Sequence, residues 1–153
     1  MNLELDNIKT IADRVVDLYR QQLEEKDINA SSTLSNTAEA VVDFDGRHLI
    51  VYLELEHYWK YVENGRKAGK MPPIDAIKEW IRVKPVIPKP YNGKVPDTRQ
   101  LAFLIARKIG REGYKGKKPI ETIVNSSAIE SVINSIKEEI TRQLKQQLID
   151  GVK

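Results

Sequence analysis

The sequence predicts a single α+β domain, residues 1–153, in which an antiparallel β-hairpin-based sheet is packed by N- and C-terminal helices. Short helices and long basic or Pro-rich loops are expected between these elements. Three observations support this prediction. The length of 153 residues suits one domain. Apolar residues recur at helical spacing near both ends of the chain, and between them two runs that alternate apolar and polar residues flank Asp45-Gly46.

Helices are predicted at both ends of the chain. In the first, polar residues separate an apolar stripe that consists of Ile8, Ile11, Ala12, Val15, Leu18 and Tyr19. A loop rich in Ser and Asn is expected over residues 29–36. The last helix is predicted to begin with a capping box of Ser127 and Glu130 and to end at Gly151. Its long, narrow stripe comprises Ile129, Val132, Ile133, Ile136, Ile140, Leu144 and Leu148.

The strongest local signal is a β-hairpin over residues 38–55. Asp45-Gly46 favours a two-residue type I′ turn, because both residue types tolerate the positive φ angles that this turn requires. The expected cross-strand pairs are Phe44 with Arg47, Val42 with Leu49 and Ala40 with Val51. The apolar sets of both strands then share one face, which the first and last helices are expected to cover. The opposite face carries Val41, Ile50 and Tyr52.

The middle of the chain is predicted to hold two further helices and a short strand. An aromatic helical turn ends at Asn64, and an exposed loop follows until a helix opened by Pro73 and ended before Pro85. Residues 85–96 contain four prolines and form a stiff, extended loop. Asp97 or Thr98 caps the next helix. Its apolar stripe comprises Leu101, Leu104, Ile105 and Ile109, and it is followed by a loop over 110–116 and a short strand over 120–124.

Composition excludes several classes of site. The chain contains no cysteine, so a disulfide, a thiolate zinc site and a Cys nucleophile are all impossible. With only His48 and His57, a three-His metal site is excluded, and no HExxH motif is present. No apolar run approaches the roughly 20 residues of a membrane span, and the N-terminus lacks a signal-peptide pattern. We expect no metal, no cofactor and no membrane partner, and synthesis in a reducing cytoplasm.

No set of residues supplies a nucleophile, a base and an orienting partner together, which predicts that the protein is not an enzyme. Residues 65–70 superficially resemble a phosphate-binding loop. That segment is one residue too short, however, and Met71 stands where a Ser or Thr would hold Mg²⁺. Glu54 and Glu56 share one face of a strand next to His57, and we interpret them as a solvated acidic pair beside a structural histidine. Trp59 and Trp80 are expected in the core.

Charge is distributed unevenly along the chain, although the net charge is only +3. Residues 1–59 carry 5 Lys/Arg and 12 Asp/Glu, a net −7, whereas residues 60–118 carry 16 and 5, a net +11. Residues 119–153 carry 4 and 5, a net −1. Three interpretations stay open at this point: a basic surface for nucleic acid, head-to-tail contact between copies of the chain, or unevenly placed solvated charge.

The candidate interaction residues are the cations of the basic middle. They would face a neighbouring copy, an acidic partner or DNA phosphates, and they are Arg66, Lys67, Lys70, Arg107, Lys108, Arg111, Lys115, Lys117 and Lys118. The last three, with Arg111, form a Lys-rich turn. Because Gly110, Gly113 and Gly116 provide no side chains for a core, this turn is expected to project from the surface.

Two stretches of the chain resemble a known group of proteins. They are YWKYVENGRKAGKMPPIDAIKEWI, residues 58–81, and LAFLIARKIGREGYKGKKP, residues 101–119. A hairpin precedes the first stretch, a variable loop separates the two, and a final helix follows. This order, over about residues 38–150, resembles the tail-completion or neck proteins of tailed bacteriophages, which belong to the head–tail connector group. The similarity is greatest to the ring-forming proteins of crAss-like phages.

The resemblance implies a structural virion protein that is synthesised in the host bacterial cytoplasm and located in the neck or tail region. Such proteins form a ring of twelve or six copies around the DNA channel, join the portal to the tail, and help to retain or pass the genome. The implied partners are other copies, the portal, adjacent neck and tail proteins, and packaged DNA through non-specific contacts.

No catalytic residue is carried over from this group. The matching positions are the turn over residues 61–66 and the helix end at Arg107-Lys108, whereas the Pro-rich loop over 85–96 departs from the group's pattern. The alternative function is sequence-independent binding of nucleic acid, which the isoelectric point near 9.0 and the basic segment 107–118 favour.

Overall fold

The computed structural model describes residues 3–28, 33–83, 86–90 and 93–152. It confirms the α+β class, with a small antiparallel hairpin and helices at both ends of the chain. The elements in chain order are α1 (Leu5–Glu25), α2 (Thr33–Thr37), β1 (Glu39–Phe44), β2 (Leu49–Glu54), α3 (Trp59–Asn64), β3 (Gly65–Arg66), α4 (Ile74–Val83), α5 (Thr98–Glu112), β4 (Tyr114–Lys115), α6 (Pro119–Val124) and α7 (Ser127–Gly151).

Helix α1 is the centre of the core. It contacts β1, α6 and α7, so it connects the hairpin to the C-terminal helices. Its fully buried residues are Ile8, Ala12, Val16, Tyr19 and Leu23, and Leu34, Ala38, Ala40 and Ile123 complete the buried cluster around it. The predicted stripe is thus rotated slightly: Val16, which it omits, is buried, whereas Ile11, Val15 and Leu18 are half-buried. Helix α7 packs on α1 and α6, and among the described helices it is α1 that packs on the hairpin. The expectation that the last helix also covers the hairpin face is therefore wrong, because the apolar side of α7 is used against the other helices.

The hairpin forms as predicted, but the predicted register is wrong. Phe44 pairs with Leu49, Val42 with Val51, and Ala40 with Leu53. Each strand has shifted by one residue relative to the expected type I′ turn, so Gly46 and Arg47 are at the centre of the turn in place of Asp45 and Gly46.

The carboxylate of Asp45 explains this register. It accepts hydrogen bonds from the backbone N–H groups of Arg47 and His48, at 2.8 and 2.7 Å. Gly46 has a φ of 91°, as the first central residue of a type II′ turn requires. Because both strands shift together, the two faces keep their residues: Ala40 is buried, while Ile50 and Tyr52 are exposed on the opposite face.

The predicted loop over 110–116 and the predicted strand over 120–124 are both wrong. Helix α5 continues to Glu112, and Tyr114–Lys115 forms β4, which pairs antiparallel with β3. Residues Pro119–Val124 form α6, with Pro119 in its first turn and Ile123 buried in the core. The β-branched residues of this segment favour a strand in isolation, but burial of Ile123 and a cap from α3 favour the helix.

The remaining boundaries are close to the prediction. Asp97 caps α5 in a reciprocal capping box with Gln100, and α4 begins directly after Pro73. Helix α7 is capped by Ser126 in place of Ser127, since the Ser126 hydroxyl accepts the hydrogen bond from the Ile129 N–H. Helix α2 forms within the predicted loop over 29–36, of which residues 29–32 lie outside the described residues. Within the described ranges, no helix is long and apolar enough to cross a membrane.

Helices α4 and α5 pack against each other as a pair. The buried residues of α5 are Ala102, Ala106 and Gly110, in place of its predicted apolar stripe. A backbone hydrogen bond of 2.7 Å from the Gly69 N–H to the Gly110 carbonyl joins the end of α5 to the loop before α4. Because the small residues are buried, the larger aliphatic side chains of α5 are left half-buried or exposed.

Candidate functional site

Through Glu63, the first of the two stretches that carry the resemblance contacts the residues that directly follow the second. Glu63 is only 8% exposed, and its carboxylate accepts backbone hydrogen bonds from Ile120 and Glu121, both at 2.9 Å. Helix α3 positions the carboxylate, which caps the first turn of α6 and satisfies two N–H groups that lack helical partners. The carboxylate therefore fixes the turn over 61–66 against the segment that follows α5.

Three glycines allow the backbones at this junction to approach closely. A Cβ atom on Gly65 would overlap the Tyr114 carbonyl, one on Gly113 the Arg66 carbonyl, and one on Gly116 the Glu63 carbonyl. The Lys117 N–H also donates to the Val62 carbonyl at 2.9 Å. The expectation that the Lys-rich turn projects is therefore wrong, because its glycines serve close packing of this segment against α3 and β3.

Four of the nine candidate cations have partners within the chain. Arg66 donates to the Lys70 carbonyl at 2.8 Å, and Lys117 donates to the carbonyls of Lys26 and Asp27 at the end of α1. Two others form ion pairs of 2.6 Å, Arg111 with Glu112 and Lys118 with Glu121. Hydrogen bonding to Glu121 raises the pKa of Lys118, and hydrogen bonding from Arg111 lowers the pKa of Glu112.

The other five candidate cations are exposed and form no ion pair with any residue that the structure describes. They are Lys67, Lys70, Arg107, Lys108 and Lys115. Lys67 and Lys70 follow β3, Arg107 and Lys108 lie on α5, and Lys115 lies on β4. The β3–β4 ladder brings the loop after β3 close to the end of α5, because Arg66 pairs with Tyr114. The structure thus brings the segment of Lys67 and Lys70 near the segment of Lys115, from two distant parts of the chain.

A cleft of about 510 Å³ opens beside one of these five cations, Lys115. Its lining combines aliphatic side chains, four aromatic side chains and three candidate cations, and the residues that matter below are Tyr61, Arg66, Trp80, Ile105, Tyr114 and Lys115. Trp80 is 40% exposed here and not in the core as predicted, whereas Trp59 packs against the core cluster. Partial burial raises the pKa of the Tyr114 hydroxyl.

The prediction from sequence did not identify this cleft. Its walls come from α3, β4, α4 and α5, which are adjacent only in the tertiary structure. The one available signal was composition: Tyr58, Tyr61, Trp80 and Tyr114 lie among the cations of the basic middle. Aromatic and cationic side chains around a concave apolar surface are suited to binding a macromolecule or a ligand with an acidic, partly apolar surface.

The outer face of the hairpin is a second exposed surface, and its charge is acidic, opposite to that of the cations around the cleft. It alternates apolar and acidic residues, namely Glu39, Val41 and Asp43 on β1 and Ile50, Tyr52 and Glu54 on β2. Ile50 is 53% exposed and Tyr52 is 44% exposed. Lys9 lies 3.6 Å from Glu39 at the edge of this face. We call this set the hairpin outer face.

Both histidines lie at the surface beside carboxylates. His48 Nδ1 lies 3.1 Å from Asp45, and His57 Nδ1 lies 3.7 Å from Glu56. Among the described residues, no group of three or more His, Asp or Glu side chains is arranged to hold a metal ion. The surfaces that the chain does present, the cleft and the hairpin outer face, are suited to recognition.

No protein-family model, curated protein or solved structure matches this chain.

Proposed function

We propose that the protein is a structural virion protein of a phage head–tail connector. In this role, copies form a ring around the DNA channel, join the portal to the tail, and help to retain or pass the genome. The support from sequence is the resemblance of residues 58–81 and 101–119 to tail-completion or neck proteins. Those two stretches form one structural unit here, since Glu63 caps α6 and β3 pairs with β4.

The observation that carries the proposal is the separation of charge within one chain. The acidic residues 1–59 form α1, α2 and the hairpin, whereas the basic residues 60–118 form α3 to α5 with β3 and β4. Complementary charge orients one copy so that its basic surface meets the acidic surface of the next. Such a contact joins two different surfaces, and repeated contacts of this kind close into a ring when the rotation between copies permits it.

The cations that form no ion pair with the described residues suit the channel of such a ring. Lys70, Arg107 and Lys108 are exposed and would contact phosphates without reading base sequence. A connector must let the whole genome pass, so contacts without sequence preference match the task. Exposed ion pairs contribute only about 0–1 kcal/mol each. Apolar contacts must therefore provide most of the affinity between copies, while charge sets their orientation.

The decisive experiment is to measure the mass of the purified protein, alone and with its portal, by light scattering and native mass spectrometry. We expect a closed oligomer of twelve or six copies that weakens as salt rises. Replacing Arg66 and Lys67 by Glu should weaken it further, whereas Lys137→Glu, on the exposed side of α7, should not. A protein that stays monomeric at every concentration, with and without portal, would contradict the proposal. If a closed oligomer is found, electron microscopy of virions would locate the chain within the particle.

A second candidate function is sequence-independent binding of nucleic acid. The specific observation in its favour is that Tyr61, Trp80 and Tyr114 line one cleft with Arg66 and Lys115, since exposed aromatic rings and cations together bind single strands. Fluorescence anisotropy with labelled single- and double-stranded oligonucleotides tests it. A monomer that binds tightly, with steep salt dependence and no base preference, would favour this function over the connector ring.

A further inference from the structure

The geometry points to a specific contact between copies: the cleft of one copy receives the hairpin outer face of the next. This inference rests on the proposed self-assembly and specifies its interface. The occupant is a second copy of this chain, presenting Ile50 and Tyr52 to the aromatic cleft. The contact joins two different surfaces, so it propagates from copy to copy as a ring requires.

The cleft provides a concave apolar surface that no residue of the same chain fills within the described ranges. Trp80, Tyr61 and Tyr114 are 40%, 52% and 43% exposed around it, and Ile105 forms part of its lining. Large aromatic side chains that are exposed together around a pocket are typical of protein–protein contact sites. A volume of about 510 Å³ accommodates a few inserted side chains.

The hairpin provides side chains of the matching kind. Ile50 and Tyr52 lie on the outer face of β2, and Val41 lies opposite Tyr52 on β1. Tyrosine has an apolar ring with a polar hydroxyl, so it suits insertion into an apolar cleft with a polar rim. Because the hairpin is a two-stranded sheet with α1 on one side only, its outer face is accessible to a partner.

Charge selects this pairing of surfaces over others. Glu39 lies directly opposite Glu54 in the hairpin, and like charges in that position destabilise a sheet. Lys9 lies near Glu39, but Glu54 forms no ion pair with any described residue. The cleft rim offers Arg66 and Lys115. Docking would bring these cations to the hairpin carboxylates and remove the repulsion that each free copy retains.

Cross-linking tests the contact directly, because the natural chain contains no cysteine. We would prepare Tyr52→Cys and Trp80→Cys as separate variants and mix them under mild oxidation. The mixture should give a disulfide-linked dimer, whereas each variant alone should give none, since the inferred contact joins two different surfaces. Mixing Trp80→Cys with Ser131→Cys, which places the thiol on the exposed side of α7, is the matched control and should give none.

A charge swap tests the same contact without altering the apolar residues. We expect Glu54→Lys to weaken self-association about tenfold, and Lys115→Glu in the same chain to restore most of it. Glu138→Lys makes the same change of charge at an exposed position of α7 and should have no effect. Restoration by the second substitution distinguishes a direct contact from a general effect of net charge.

The outcomes separate this inference from the proposed function. An oligomer that forms without the 52–80 cross-link and ignores the charge swap overturns the inference and leaves the ring intact. A monomer overturns both. Strong quenching of Trp80 fluorescence by an oligonucleotide at physiological salt, absent in Trp80→Phe, assigns the cleft to nucleic acid and also overturns the inference. Symmetric cross-linking of Tyr52→Cys alone would indicate a hairpin-to-hairpin dimer and would also overturn the inference.

Discussion

The carboxylate of Glu63 accepts a hydrogen bond from the backbone N–H of Ile120 at 2.9 Å, across 57 positions of the chain. Its other oxygen accepts from Glu121 at the same distance. These two N–H groups replace the water that would otherwise solvate the buried carboxylate, and the carboxylate in turn caps α6. This contact ties α3 to α6, and thereby the cleft wall to the core.

We expect Glu63→Ala to lower the free energy of unfolding by about 1–3 kcal/mol, because two backbone N–H groups lose their buried acceptor. Urea denaturation followed by circular dichroism measures this change. Glu138→Ala removes an exposed glutamate from α7 and should stay within about 0.5 kcal/mol of the parent. Equal stability of the two variants would show that the Glu63 cap is unimportant.

Gly116→Ala should be more damaging than the loss of the cap. A methyl group there would overlap the Glu63 carbonyl, which is backbone and cannot rotate away. We expect a loss of at least about 3 kcal/mol, or failure to fold. Gly151→Ala is the matched control, since nothing lies within 4 Å of the added atom. Thermal unfolding of both variants checks the difference, and a Gly116→Ala protein that melts with the parent would refute the close packing.

Lys117 and Lys115 should respond differently to the same substitution. Lys117 donates to the carbonyls of Lys26 and Asp27, at the negative end of α1, whereas Lys115 is exposed and forms no ion pair with the described residues. Lys117→Glu would place a carboxylate against those carbonyls and should lower the unfolding temperature. Lys115→Glu should leave it unchanged. If both melt like the parent, the contact between Lys117 and α1 does not contribute to stability.

Substitution of Tyr19 is expected to stabilise the fold. Its ring is fully buried, and its hydroxyl has no hydrogen-bond partner among the described residues. Burial raises the pKa of this hydroxyl to about 12. We expect Tyr19→Phe to raise the free energy of unfolding by about 1 kcal/mol, because the ring stays and an unsatisfied polar atom is removed. A loss of comparable size in urea denaturation would contradict this account.

Glu139 should make stability depend on pH under acidic conditions. Hydrogen bonds from Arg142 and Gln143 lower its pKa to about 2, from the usual 4.5 of a glutamate. Since the folded pKa lies below the unfolded one, the carboxylate stabilises the fold above about pH 4.5, and this contribution is lost as the pH falls towards 2. Between about pH 6 and about pH 3, Glu139→Gln should therefore lose less stability than the parent. Glu138→Gln, at the exposed neighbouring position, should lose as much as the parent.

Local signals in the sequence were sufficient for most helices and for the existence of the hairpin. The capping pair Asp97 and Gln100, the Pro before α4 and the alternating strands are each contained within a few neighbouring residues. The same local signals did not determine the register of the hairpin, because Asp45 could occupy either the centre of the turn or its first position. The hydrogen bonds of its carboxylate to Arg47 and His48 select the first position.

The candidate cations were named from charge alone, and the structure separates them into two kinds. Lys117 and Lys118 lie three and two residues before Ile120, yet Lys117 contacts α1 and Lys118 pairs with Glu121. Lys118 and Glu121 are only three positions apart, so that pair is a local one. The partners of Lys117 could not be identified by counting along the chain, since hydrogen bonds across 90 positions depend on how α1 and α6 pack. The aromatic cleft was missed for the same reason.

The sequence by itself determined the α+β class, the helices at both ends, the hairpin and the separation of acidic from basic residues, because periodicity, capping and charge are properties of short segments. Only the tertiary structure decided what residues 110–124 become. Taken alone, this segment has glycines that favour a loop and β-branched residues that favour a strand. Packed against α3 and β3, its glycines admit the neighbouring backbone, and the Glu63 carboxylate caps a helix for which Pro119 is only a weak local signal. Contacts across more than 50 positions outweigh local propensity there, since they bury groups that the isolated segment leaves in water.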